Sequence, residues 1–375
     1  MKTDKNIALV HDWLTGMRGG EKVLEVLCEL FPDAALFTLV HRNGSASPTI
    51  ENMIIRKSII QHLPKSESRY QYYLPLMPFA IEKFNLNEFD LVISSSHAVA
   101  KGVRVRKDAV HICYCHTPMR YIWDQYENYF AKGKSNFPAR TAMKFFRNYL
   151  QRWDVESSSG VNYFIANSKN VQERIKRIYN RDSEVIYPPV EASRFKVSTR
   201  DDGYFLIVSA LVPYKRIDLA VEVFNEIGER LVIVGVGSEL EKLKNSAKPN
   251  VEFHGWASDE KLADYYADCK ALIFPGEEDF GIVPLEAMAS GKPVIAFAKG
   301  GALETVVENR TGIFFNEQIK ESLIDAVRRF DTKKLDAGEI HRHALGFDRK
   351  IFKEKIQSYI VGVLSKQPKS FGTDW

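Results

Sequence analysis

Short apolar runs recur along this chain, and amphipathic stretches of helix length separate them. In the first half the runs are IALVHD, ALFTLV, DLVISSS, HICYCHT and YFIANS. In the second half they are YFLIVSAL, RLVIVGVG, VEFHGW, ALIFPG, PVIAFA and GIFF. Runs this continuous keep no polar face for water. They predict strands of parallel sheets covered on both sides by helices. Eleven such strands in 375 residues exceed one comfortable sheet, so the pattern predicts an α/β protein of two doubly wound units. Pro188 and Pro189 interrupt regular structure shortly before a fresh run begins at Tyr204. That places one domain over residues 1–187 and a second over 188–346. The segment 347–375 holds Phe347, Ile351, Phe352, Ile356, Tyr359 and Ile360 at helical spacing. It predicts a helix that packs back across the junction.

One segment breaks the alternation. Residues 131–153, AKGKSNFPARTAMKFFRNYLQRW, hold six basic residues, five aromatics and no acid. At helical spacing Phe146, Tyr149, Leu150 and Trp153 share a face. Two uses fit that face: packing on the domain's own core, or contact with an anionic lipid surface or a lipid-borne acceptor.

Composition narrows the class. Hydrophobic residues make up 45% and charged residues 27%, as in soluble globular proteins. The net charge of +4 is too mild to indicate a nucleic-acid binder. No apolar run approaches the roughly 20 residues of a membrane span. The start, MKTDKNIALVHDW, has the pattern of a first strand rather than a signal peptide, so a cytoplasmic location is expected. Cys113 and Cys115 alternate along HICYCH and face one side, a poor disulfide frame. With His116 they offer three metal-ligand types, but no second cluster supports a metal, and reduced structural thiols are the expectation.

Candidate chemistry concentrates in FPGEEDFGIVPLEAMASGKPVIAFA, where a strand, an acidic loop, a helix and a second strand follow one another. Strand ends in open α/β sheets are where ligands bind. The helix after the loop presents N–H groups without intrahelical partners, which suit a phosphate. Phe280, Gly281 and Ile282 supply them, and Gly281 allows close approach. Glu278 and Glu286 would repel a phosphate but can accept hydrogen bonds from sugar hydroxyls. A phosphate with a sugar on each side is a nucleotide-sugar.

The stretch EEDFGIVPLEAMASGKPVIA resembles the signature of the retaining glycosyltransferases of family four, whose GT-B fold sets two Rossmann-like domains face to face. HDWLTGMRGGEKVLEVL, YCHTPMRYIWD, FIANSKNVQERI, SALVPYKRID, VGVGSEL and HGWASDEKL match the same family in order. The resemblance implies that Gly19 and Gly20 face the donor diphosphate and that His116 sits by the transferred sugar. It gives Lys215 a permanent charge on the diphosphate, Glu278 the sugar hydroxyls and Glu286 the ribose. Gly237 then lies near the nucleotide, and Trp256 and Ala257 near the base. Many members carry an arginine where this chain has Ala210, so the diphosphate clamp is one charge short unless Arg216 substitutes.

No D-x-D motif occurs, so the resemblance implies transfer without metal or other cofactor, from a nucleotide-sugar to a glycan or lipid-linked acceptor. The likeness is strongest to bacterial mannosyltransferases of polysaccharide and O-antigen assembly. It implies GDP-mannose as donor and a place at the inner face of the membrane, with no nucleic-acid partner. The same residues leave open a UDP-sugar donor, a sugar-nucleotide epimerase of this fold and a non-catalytic nucleotide-sugar binder. A dehydrogenase is excluded, because Leu240 stands where a dinucleotide fingerprint needs its third glycine.

Overall fold

A computed structural model of the chain describes residues 5–124, 126, 137–331 and 333–366, with side chains at 137–143 excepted. Much of the first half of the basic, aromatic segment, and residues 367–375 of the tail, lie outside the described residues.

The apolar runs form β1 (Ile7–His11), β2 (Ala35–Thr38), β4 (Leu91–Ser96), β5 (Val110–Cys115) and β6 (Tyr163–Ala166) in the first half. In the second half they form β8 (Tyr204–Val208), β9 (Arg230–Val234), β10 (Val251–Gly255), β11 (Ala271–Phe274), β12 (Val294–Phe297) and β13 (Gly312–Phe315). Two further strands, β3 (Ile54–Lys57) and β7 (Ser183–Val185), carry no such run. They are the outer strands of the first sheet, ordered β3-β2-β1-β4-β5-β6-β7. An edge strand is half solvated and needs no continuous apolar sequence, which is why the pattern shows eleven strands rather than thirteen. The second sheet runs β10-β9-β8-β11-β12-β13, and every ladder in both sheets is parallel.

In each sheet the strand order reverses once, between β1 and β4 and between β8 and β11. Loops diverge at such a point and leave a crevice beyond the carboxyl ends of the strands. The principal helices around the site are α1 (Gly19–Leu30), α2 (Phe137–Ser157), α3 (Lys169–Tyr179), α4 (Ile217–Ile227), α5 (Ile282–Ala289) and α6 (Arg349–Ser365). α6 buries Phe352, Ile356, Ile360 and Val363 in the first sheet's core, beside Leu9, Leu24 and Ile112.

The chain therefore passes between the sheets twice, and the two passages pair. Phe347 O accepts from Val190 N at 3.1 Å, and Val190 O accepts from Arg349 N at 2.9 Å. Arg349 adds ion pairs to Glu25, Glu29 and Glu191. Tyr187 and Phe347, one on each passage, pack with Phe280 of the acidic loop at 5.3 and 5.9 Å between centroids. All four cysteines are free and buried, and Cys113 and Cys115 sit in an apolar cluster with Val161, Phe164 and Ile175.

Candidate active site

The two crevices face each other. Gly19 opens α1 after β1, and a Cβ there would stand 2.9 Å from Ile282 Cδ1 at the start of α5. The glycine lets two helix N-termini from opposite domains approach. Gly281, the N-cap of α5, has φ +93°, a conformation that favours glycine. Behind Gly19, a Cβ on Gly20 would lie 3.6 Å from His116 Nε2. Thus Gly19, Gly20, His116, Gly281 and Ile282 border one space.

The acids of the loop divide their work. Glu278 contacts Lys215 Nζ, and its other oxygen lies 3.9 Å from Arg120 Nη1. Asp279 pairs with Arg120 at 3.2 Å and with Arg174 of α3. Glu277 turns outward to Lys299 at 3.3 Å. Glu286 receives the Tyr266 hydroxyl at 2.9 Å and Lys22 Nζ of α1 at 3.3 Å. Arg120, Arg174 and Lys22 belong to the first domain, so carboxylates of the second hold the cleft together. Ser168 donates to Asp279 O at 2.7 Å. Glu304 caps α3 from across the cleft, accepting from Lys169 N at 2.8 Å and Asn170 N at 3.0 Å.

Burial and the neighbouring Arg120 guanidinium push the Lys215 ammonium down to about 7, while Asp279 acts the other way. On the opposite wall three imidazoles gather at the carboxyl ends of β1, β4 and β5. Ser95 Oγ bonds His116 Nε2 at 2.8 Å and His11 Nδ1 at 3.1 Å. It has one proton, so it donates to one ring and accepts from the other. Burial, then His97 and His11, hold His116 well below the ordinary histidine range. It is therefore neutral at pH 7. Asp12 fixes the loop behind it by accepting from the N–H groups of His97, Ala98, Val99 and Ala100 at 2.6–3.0 Å.

The remaining sequence candidates fall into two groups. Gly237 lies close on the Leu211 backbone, with no room for a side chain. Ala257 is half-buried, whereas Trp256 is 76% exposed and open to a ligand face. Arg216 adopts φ +54° and pairs with Asp218 of its own helix at 3.3 Å. A further cation, Arg120, stands 5.3 Å from the Tyr214 ring centroid. Arg120, Lys22, Asp279 and Ser95 stood inside or beside motifs already quoted, but only the meeting of domains gives them partners. Arg174 likewise stood inside FIANSKNVQERI, whereas Tyr266 lies outside every motif quoted.

Comparison with known proteins fits this geometry. The family model described as Glycosyltransferase Family 4 matches residues 17–194, and that described as Glycosyl transferases group 1 matches residues 190–345. Both walls of the cleft are covered, and the chain belongs to the family-four glycosyltransferases of GT-B fold. It is similar to the O-antigen chain mannosyltransferase RfbU of Salmonella typhimurium, 30% identical over 171 residues, 42% of this chain and 48% of that one. It is also similar to a GDP-mannose-dependent alpha-mannosyltransferase of Mycobacterium tuberculosis, 34% identical over 151 residues, 37% of this chain and 40% of that one. The matches span about half the length of these curated relatives or less. Among solved structures, Anabaena HepE in complex with UDP-glucose superposes with a TM-score of 0.68 at 17% identity, over 95% of this chain and 99% of that chain. At that identity the likeness shows the fold.

Proposed function

We propose that this protein is a retaining hexosyltransferase that moves mannose from GDP-mannose to a lipid-linked glycan in surface polysaccharide assembly. The observation that carries it is the convergence of Lys215, Glu278, Glu286 and the α5 N-terminus, across from Gly19, on a space fit for a sugar diphosphate. The mannosyl donor rests on the activities named for the Salmonella and Mycobacterium relatives.

In this reading the diphosphate lies between the α5 N-terminus and the Gly19–Gly20 turn. Lys215 leaves Glu278 to meet it. As the anomeric C–O bond breaks, negative charge grows on the leaving phosphate, and Lys215 and the N–H groups at 280–282 stabilise it. The lysine, charged when the diphosphate is bound, and a helix terminus do this work without a metal. Glu278, released from Lys215, accepts hydrogen bonds from the transferred sugar, and Glu286 from the ribose. His116 is a weak base at its depressed pKa. The acceptor proton therefore passes to the departing phosphate oxygen while the new C–O bond forms on the same face, which preserves the anomeric configuration.

Among the described residues no helix is long and apolar enough to cross a membrane. We place the acceptor's lipid at the inner face of the cytoplasmic membrane, met by the basic, aromatic segment 131–153. Within it α2 buries Leu150 and Trp153, but Phe145, Phe146 and Tyr149 stay 76%, 42% and 46% exposed. Core packing thus uses only part of the aromatic set.

The test is a thermal-shift panel of nucleoside diphosphates and their sugars, without metal and then with Mg²⁺. A ligand at a hundred times its Kd stabilises the folded state by about 2.7 kcal/mol. Stabilisation by GDP and GDP-mannose, unchanged by Mg²⁺, is the expected result. A shift with UDP compounds alone, in keeping with the HepE complex, would replace the donor and keep the mechanism. No shift with any nucleotide would overturn the reading.

A further inference from the structure

Helix α2 has two faces with different duties. Its inner residues hold one short loop of the active site. Ile122 O accepts from Arg147 Nε at 3.1 Å and from Gln151 Nε2 at 2.8 Å, and Asp154 Oδ2 accepts from Trp123 Nε1 at 2.8 Å. These three residues recur at helical spacing, so one stripe of α2 grips two consecutive residues of the loop. Asp154 is itself locked, taking the Tyr179 hydroxyl at 2.9 Å and the buried Lys101 ammonium at 3.0 Å. The same loop carries Arg120 to Glu278 and Asp279, and Asp124 to Arg174.

The outer face carries Phe145, Phe146 and Tyr149, with Lys144 and Arg152 exposed among them and no acid between 144 and 153. A second exposed apolar set borders it. Trp153 donates to Glu82 at 2.6 Å, and Phe79, one helical turn before Glu82, is 54% exposed with Lys83 Nζ 5.2 Å from its ring centroid. Leu76 and Tyr72 continue that row, both exposed. Aromatics interleaved with lysine and arginine are complementary to one surface: the headgroup boundary of an anionic bilayer.

We propose that α2 is a lever between that bilayer and the sugar site: docking of its outer face fixes the helix, and its inner stripe fixes the loop that presents Arg120. This rests on the membrane-surface part of the reading above and extends it, because the contact then sets the order of the catalytic cleft as well as the protein's location. Arg147, Gln151 and Asp154 are positioning residues, since they act on Arg120 through the loop backbone.

The experiment measures vesicle flotation and amide hydrogen exchange of the whole protein, with vesicles of phosphatidylglycerol and phosphatidylcholine and with phosphatidylcholine alone. The expected result is flotation on the anionic vesicles, with exchange at residues 117–124 slowed at least about fivefold, the lower end of common coupling strengths. The triple substitution Phe145→Ser, Phe146→Ser, Tyr149→Ser should lose both effects. Gln151→Ala should still float and lose the protection at 117–124, a separation that a merely structural role would not produce. Flotation with unchanged exchange in that loop overturns the lever and leaves the docking surface standing. Failure to float on anionic vesicles overturns both. Neither readout depends on which nucleotide-sugar is the donor.

Discussion

The two walls of the cleft share a topology and differ in chemistry. Each is the carboxyl edge of a parallel sheet at the point where strand order reverses. The second domain fills its edge with ions: Lys215, Glu278, Asp279 and Glu286. The first lines its own with His97 and His116, lowered by burial below the ordinary histidine range, with Ser95 bonding His116 and His11, and its Arg120, Arg174 and Lys22 reach the carboxylates of the second. Fixed charge suits a diphosphate. Neutral donors and acceptors suit sugar hydroxyls, which they orient without competing for the phosphate. One strand-order rule thus builds two half-sites, and the residues at the strand ends decide what each half binds.

The most severe way to break this division is to remove the charge. Lys215→Ala should lower turnover by roughly 10²–10³ fold, the usual effect of losing one preorganised donor to a developing anion. Near-normal steady-state turnover would move the diphosphate away from the ionic wall. Glu286→Ala comes next. Removing a charged hydrogen-bond acceptor costs about 1.5–3 kcal/mol, so donor Kd should rise roughly 10–100 fold with a smaller change in turnover. Calorimetry showing unchanged affinity would sink its ribose role.

A pH series sharpens the contrast between the walls. Lys215 is charged below about 7 and loses its proton above. A bound diphosphate favours the charged form, so nucleotide affinity should fall as pH rises through 7, by at most about tenfold per pH unit. Binding at pH 8 should then take up a proton, seen as a buffer-dependent heat that Lys215→Ala abolishes. His116, neutral well below the ordinary range, should add no inflection between pH 6 and 8. An inflection lost in His116→Gln would make it an acid or base. The smallest effect is expected at the contact between domains. Glu304→Ala removes the carboxylate that caps α3 and should cost about 1 kcal/mol in unfolding free energy, the usual loss for a helix cap. An unchanged midpoint and slope in denaturant would show that the cap forms only in one arrangement of the domains.

Some of this was open to direct reading. Ala271–Phe274 and Val294–Phe297 are runs buried on both faces, and their sequence shows it. β3 and β7 are edge strands, and nothing in IIRK or SEV separates them from loops. At the site, Glu278, Lys215 and the glycines lie at strand ends in motifs of fixed spacing. Arg120 and Arg174 lie within YCHTPMRYIWD and FIANSKNVQERI, but only the fold brings Asp279 to both. In the same way, Phe146, Tyr149, Leu150 and Trp153 share a helical face, yet only Leu150 and Trp153 are buried.

The amino-acid sequence by itself determined the two parallel sheets, the strand ends that carry ligands and the ionic half of the site. It does so because burial on both faces and helix N-termini are local properties that a short stretch can encode. Only the tertiary structure decided which acid faces which cation, that Arg216 pairs with Asp218 while Arg120 meets Glu278 and Asp279, and that α2 joins an exposed aromatic face to the loop that carries Arg120. Apart from Arg216 with Asp218, those pairings link residues far apart in the chain, and the energy of an ion pair or a buried ring depends on the neighbour that folding supplies.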